Sequence, residues 1–79
     1  HWRKFGSHYK CDLENGISLW CFYLQKDSVI PFIVNPSMPR WRIHPMTALD
    51  AREVCISWRD ELANFGYDYD TWLESRKKP

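Results

Sequence analysis

Glycine is scarce in this chain, three residues in 79. None falls in a phosphate-loop, dinucleotide-binding or nucleophile-elbow pattern, and so few leave little backbone to cradle a phosphate. Cysteine is also scarce, and its number is odd at three. That excludes a disulfide scaffold and favours a reducing, intracellular setting. No apolar run approaches the roughly 18–20 residues of a membrane span, and no signal-peptide pattern is present. The first residue is His rather than Met, which reads as a chain processed or cut from something longer. Charge of one sign is missing as well: 11 Lys and Arg stand against 10 Asp and Glu, a net charge of +1. Bulk electrostatics therefore supply no drive toward nucleic acid or membrane. There is no repeat, no low-complexity tract and no linker, so residues 1–79 read as a single domain.

Aromatic side chains, by contrast, are plentiful: five Trp, four Tyr and four Phe. They supply large apolar area to a core that is necessarily small at this length. Thirteen aromatics are many for such a core, so one or more is expected at a surface patch. Charge is also distributed unevenly. Residues 1–46 carry a balance of +3, residues 47–75 a balance of −5, and Arg76-Lys77-Lys78 restores +3. The chain is basic at its front and acidic along its helical end.

The clearest local signal spans Thr47 to Gly66. Thr47 caps the first turn, with Asp50 at capping-box spacing. Ala51, Val54, Cys55, Trp58, Leu62 and Phe65 recur at helical offsets on one face. Gly66 supplies the left-handed residue after the helix end. A second apolar stripe, Leu49, Ile56 and Ala63, lies well around the same helix. A short second helix follows over 70–77, with Thr71 and Glu74 at capping-box spacing and Trp72 expected in the core.

Residues 8–44 read as β-structure, and residues 1–7 (HWRKFGS) as a basic flexible arm or the lead into a strand. Residues 8–13 alternate, and Asn15-Gly16 is a strong hairpin signal. Residues 17–24 and 29–34 are apolar and strand-like. Pro31 argues for an edge strand or a bulge in the latter. Residues 40–44 alternate again, Arg40, Arg42 and His44 against Trp41 and Ile43.

A two-residue turn at Asn15-Gly16 predicts that Cys11 opposes Trp20 and Tyr9 opposes Phe22. One face then collects Tyr9, Cys11, Leu13, Trp20, Phe22 and Leu24 beneath the main helix. A three-residue loop exchanges the faces of one strand. It groups Tyr9, Cys11 and Leu13 with Ile17, Leu19, Cys21 and Tyr23 and makes Cys11 and Cys21 neighbours. The two-residue turn gathers more aromatic surface and is the expectation. The fold class is α+β: a small antiparallel sheet of three to four strands covered by one long amphipathic helix, with a short C-terminal helix.

For chemistry, His8-x-x-Cys11 with Cys21 and His44 offers metal-ligating types, but no close Cys pair of zinc-site spacing exists. Neither a metal, a cofactor nor a catalytic residue is expected. Cys55 falls on the apolar stripe and reads as a small core hydrophobe. The leading expectation is a non-catalytic protein-interaction module, or a small accessory or regulatory subunit, binding a protein partner or a second copy of itself. Its contact candidates are Leu49, Glu53, Ile56 and Asp60, an apolar stripe flanked by acids. The alternative is a nucleic-acid-binding domain that uses the basic strand Arg40, Arg42 and His44 together with Arg3 and Lys4 of the front segment, extended by Lys10.

Overall fold

The structure is a computed structural model that describes residues 2–35, 38–42 and 44–77, with the backbone alone described at 38–42 and 77. Five strands run in chain order: β1 (Trp2–Phe5), β2 (His8–Asp12), β3 (Ser18–Gln25), β4 (Ser28–Asn35) and β5 (Met38–Arg42). Each pairs antiparallel with its sequence neighbour, so the sheet is a meander of order β1-β2-β3-β4-β5. Two helices follow, α1 (Ala48–Asn64) and α2 (Tyr69–Lys77). The fold is the expected small α+β domain, with one strand more than expected. The extra strand is β1, from the segment read as an arm or the lead into a strand. Gly6 at φ 59 turns the chain there, so that Trp2 to Phe5 pair with Cys11 to His8.

Side-chain alternation divides the sheet into two faces. Ile17, just before β3, Leu19 and Cys21 on β3, and Val29, Pro31 and Ile33 on β4 are buried at every second position. α1 lies over these two strands. It presents Ala51, Cys55, Trp58 and Leu62, spaced one or two turns apart and all buried. Val54 is half-buried and Phe65, at the helix end, is exposed. The helix starts where the sequence says it does, with the Thr47 hydroxyl accepting the Asp50 N–H at 3.1 Å. Its end is marked by Gly66 at φ 65.

The second helix begins differently from the expectation. Its first turn is capped by Asp68, whose carboxylate accepts the Thr71 N–H at 3.1 Å, and Thr71 lies inside the helix. Trp72 is fully buried against Trp58 and Tyr69. Its indole N–H donates to Glu61 at 2.9 Å, and Arg76 donates to the same carboxylate at 2.7 Å. One acidic side chain of α1 thus holds α2 in place.

The hairpin register is a correction to the sequence reading. Asn15 and Gly16 both have positive φ, as in a type I′ turn, and the Ile17 N–H donates to the Glu14 carbonyl at 3.3 Å. The turn itself is therefore as expected. The Leu13 N–H, however, donates to the Ile17 carbonyl at 2.8 Å. Leu13 and Glu14 both stand against Ile17, a bulge that shifts the ladder by one residue. Tyr9 opposes Cys21 and Cys11 opposes Leu19. The face beneath the helix is the one assigned above to the longer loop, and Trp20 and Phe22 point to the opposite side. No disulfide forms: Cys11, Cys21 and Cys55 are thiols.

Pro31 also departs from its expected place, since β4 is an internal strand and Pro31 opposes Cys21 on β3.

Candidate functional site

Among the described residues, only one face of the sheet carries helices. The other is left open by them, and the register states which residues stand on it. One row crosses all five strands: Arg3 pairs with Lys10, Lys10 with Trp20, Trp20 with Phe32, and Phe32 with Arg42. At about 4.8 Å per strand step this row is roughly 19 Å long, aromatic in the middle and basic toward both ends. A second row, Phe5, His8, Phe22 and Ile30, runs beside it.

The aromatic rings touch. Trp20 and Phe32 are parallel, at 5.9 Å between centroids and 4° between planes. Phe5 reaches Trp20 at 6.2 Å, and His8 lies 4.3 Å from Phe22. The cations cover ring faces: Lys10 Nζ is 5.3 Å from the Trp20 ring, and the Arg3 guanidinium is 5.5 Å from Phe5. Phe5 is 45% exposed, while Trp20, Phe22 and Phe32 are half-buried. His8, Lys10, Ser18, Trp20, Phe22 and Phe32 line a shallow depression in this face. The Trp20 indole N–H is engaged by the Ser18 hydroxyl at 3.1 Å, which fixes the ring plane. His8 Nδ1 is buried and has no hydrogen-bond partner among the described residues.

One acid shares this face. Asp12 accepts from Arg3 at 2.7 Å and pairs with Lys10 at 3.2 Å. Lys10, with Arg3 behind it, holds the Asp12 carboxyl below its usual range. All three are solvent-accessible, so this is a screened surface cluster and not a buried network. The acids of α1 and α2 belong to the elements packed on the opposite side of the sheet. Of the described charged side chains, the open face carries Arg3, Lys10 and Asp12, and the acids of α1 and α2 lie on the other side.

The sequence candidates are distributed as follows. Arg3 is on the open face. Lys4 has the other parity, opposite Tyr9, and belongs to the helix side. Arg42 stands at the register position opposite Phe32, and Arg40 two residues before it, beside a register irregularity; the side chains of both lie outside the described residues. His44 falls after the end of β5 and is exposed. Among the protein-contact candidates, Leu49 is 65% exposed, Glu53 and Asp60 are exposed and Ile56 is half-buried. His8 and Cys11 have opposite parity on β2 and so lie on opposite faces. No group of three or more His, Cys, Asp or Glu is gathered among the described residues. No described helix is long and apolar enough to cross a membrane.

Sequence reasoning missed the aromatics of this face by assigning Trp20 and Phe22 to the core. Parity alone carried no signal for it, because Trp2, Lys4, Tyr9 and Tyr23 stand on the other face of the same strands. No family model, curated protein or solved structure matches the chain.

Proposed function

We propose that the open face of the sheet binds single-stranded nucleic acid. The observation that supports this is the register row Arg3–Lys10–Trp20–Phe32–Arg42, in which Lys10 lies over the Trp20 ring face. Bases stack on aromatic rings whatever their identity, and Lys and Arg at the ends of the row meet the phosphates. A net charge of only +1 is no obstacle, because the acidic helices occupy the far side and the strand meets the basic one. The geometry favours a single strand over a duplex, since the flat, ring-bearing surface needs exposed bases.

The test is fluorescence anisotropy with labelled single-stranded DNA and RNA, alongside a duplex of the same sequence, at low and moderate salt. The expected result is salt-sensitive binding of the single strand. Stacking is worth about 1–3 kcal/mol per base, so Trp20→Ala weakens binding roughly 5- to 150-fold. Arg40→Ala/Arg42→Ala lowers the salt slope as well as the affinity. Wild-type protein that binds no strand at low salt would refute the reading.

A second reading rests on Leu49, a large apolar side chain left 65% exposed at the start of α1. With Glu53, Ile56 and Asp60 it follows helical spacing, which suits a protein partner or a second copy of the chain. Native mass determination of the wild type beside Leu49→Asp separates self-association from the monomer.

A further inference from the structure

The helix side of the sheet is covered unevenly. A five-stranded sheet is roughly 19 Å across, whereas one helix with its side chains is about 10–12 Å wide. α1 lies on β3 and β4. Beside its first turns, toward β1 and β2, a cleft of about 310 Å³ remains, lined by Trp2, Lys4, Tyr9, Cys21, Tyr23 and Arg52 among others. Cys21 therefore meets the cleft although it is only 6% exposed. Directly behind it, the Cys55 Sγ lies 3.8 Å from the Cys21 Sγ. Cys55 is fully buried, and its sulfur also stands 3.7 Å from the Trp20 carbonyl. The third thiol, Cys11, is buried and is not part of the cleft lining.

We propose that Cys21 and Cys55 form a redox-active dithiol that a small hydroperoxide oxidises through this cleft. The two sulfurs differ in the way such a reaction requires: one meets the cleft and the other waits behind it. A hydrogen bond from Cys55 lowers the Cys21 thiol; burial opposes this, and the Arg52 charge adds to the lowering. The hydrogen bond and burial raise Cys55, which keeps its proton. The Cys21 thiolate attacks the terminal oxygen of the hydroperoxide. The O–O bond breaks, Cys21 becomes a sulfenic acid, and the alkoxide leaves and takes a proton from water at the cationic mouth formed by Lys4 and Arg52. The Cys55 sulfur then attacks the Cys21 sulfur. The S–O bond breaks, and hydroxide leaves with the Cys55 proton as water. Two thiols and one hydroperoxide give one disulfide, one alcohol and one water. The sulfurs close to about 2.0 Å, and β3 becomes covalently joined to α1.

The experiment treats the full chain with hydrogen peroxide, blocks remaining thiols by alkylation, and reads intact mass and a peptide map. The expected result is a fall from three thiols to one, a mass lower by two hydrogens, and a Cys21–Cys55 cross-linked peptide within one chain. Cys55→Ala abolishes the cross-link and leaves a Cys21 sulfenic acid that dimedone traps. Arg52→Ala, at an exposed position, slows the first step several-fold. Cys21→Ser leaves Cys55 unoxidised, and this variant decides the matter if Cys55→Ala does not fold. A chain that keeps three thiols under a dose that oxidises glutathione overturns the proposal. So does cross-linking through Cys11, or disulfides formed only between chains.

Discussion

Replacing Trp72 by Phe removes one hydrogen bond and one fused ring from the joint between α1 and α2. The lost bond runs from the indole N–H to the Glu61 carboxylate at 2.9 Å. Hydrogen bonds to charged groups contribute about 1.5–3 kcal/mol. Glu61 is partly exposed and keeps Arg76 and Ser57 as donors, so about 1–1.5 kcal/mol applies here. Trp72 is fully buried, and loss of its second ring leaves a cavity of roughly 40 Å³. At about 24 cal/mol per Å³ that adds about 1 kcal/mol. The expected cost is about 2–2.5 kcal/mol, from a stability of roughly 4–12 kcal/mol for a domain of this length. The assay is urea unfolding followed by far-UV circular dichroism, repeated for Glu61→Gln and the double variant. The cycle should show a coupling of about 1 kcal/mol.

pH supplies a second axis for the same experiment. Burial by itself raises the Glu61 carboxyl, but hydrogen bonds from Trp72, Arg76 and Ser57 outweigh it, and the group sits below its ordinary value of 4.5. A carboxyl lowered in the folded state contributes stability that is present above the unfolded value and is lost as pH falls through the folded one. The difference between wild type and Trp72→Phe should therefore narrow below pH 4, toward the cavity cost alone. Additive single variants, or a difference that is flat from pH 7 to pH 3, would refute the reasoning.

Leu62→Ala, beneath the centre of the domain where α1 meets the sheet, should cost about 2–5 kcal/mol in the same assay. Asp12→Asn removes the carboxylate that Arg3 and Lys10 hold on the open face. It should tighten single-strand binding several-fold at low salt, an effect that shrinks as salt screens the cluster.

Local features of the chain were legible where one residue type answers one physical need. Thr47 supplies an oxygen to an orphan N–H, Gly66 takes a positive φ, and Ala51, Cys55, Trp58 and Leu62 repeat with the helix. Trp72 was expected in the core because a two-turn helix needs an anchor, and it is there. The register was not legible. It depends on whether the Leu13 N–H finds the Ile17 carbonyl in addition to the turn bond, an extra hydrogen bond that periodicity does not record. Because strand side chains alternate, that one bond decided the face of Trp20 and Phe22. The same error hid the basic-aromatic row, although Arg3 and Arg42 at its ends had been singled out. β1 was left between an arm and the lead into a strand because four residues carry too little period to read, and only pairing with β2 defines them.

The meander has a kinetic consequence. Every strand pairs with its sequence neighbour, and the β1–β2 and β3–β4 links are two residues long. Closing such short loops costs little chain entropy, so the sheet forms from local encounters. Docking of α1 on β3 and β4 is the principal step that joins distant parts of the chain. A sheet formed before that step has both faces bare, with Leu19, Cys21 and Ile33 as accessible as Trp20 and Phe32. That exposure ends when residues 48–64 settle on β3 and β4 as α1.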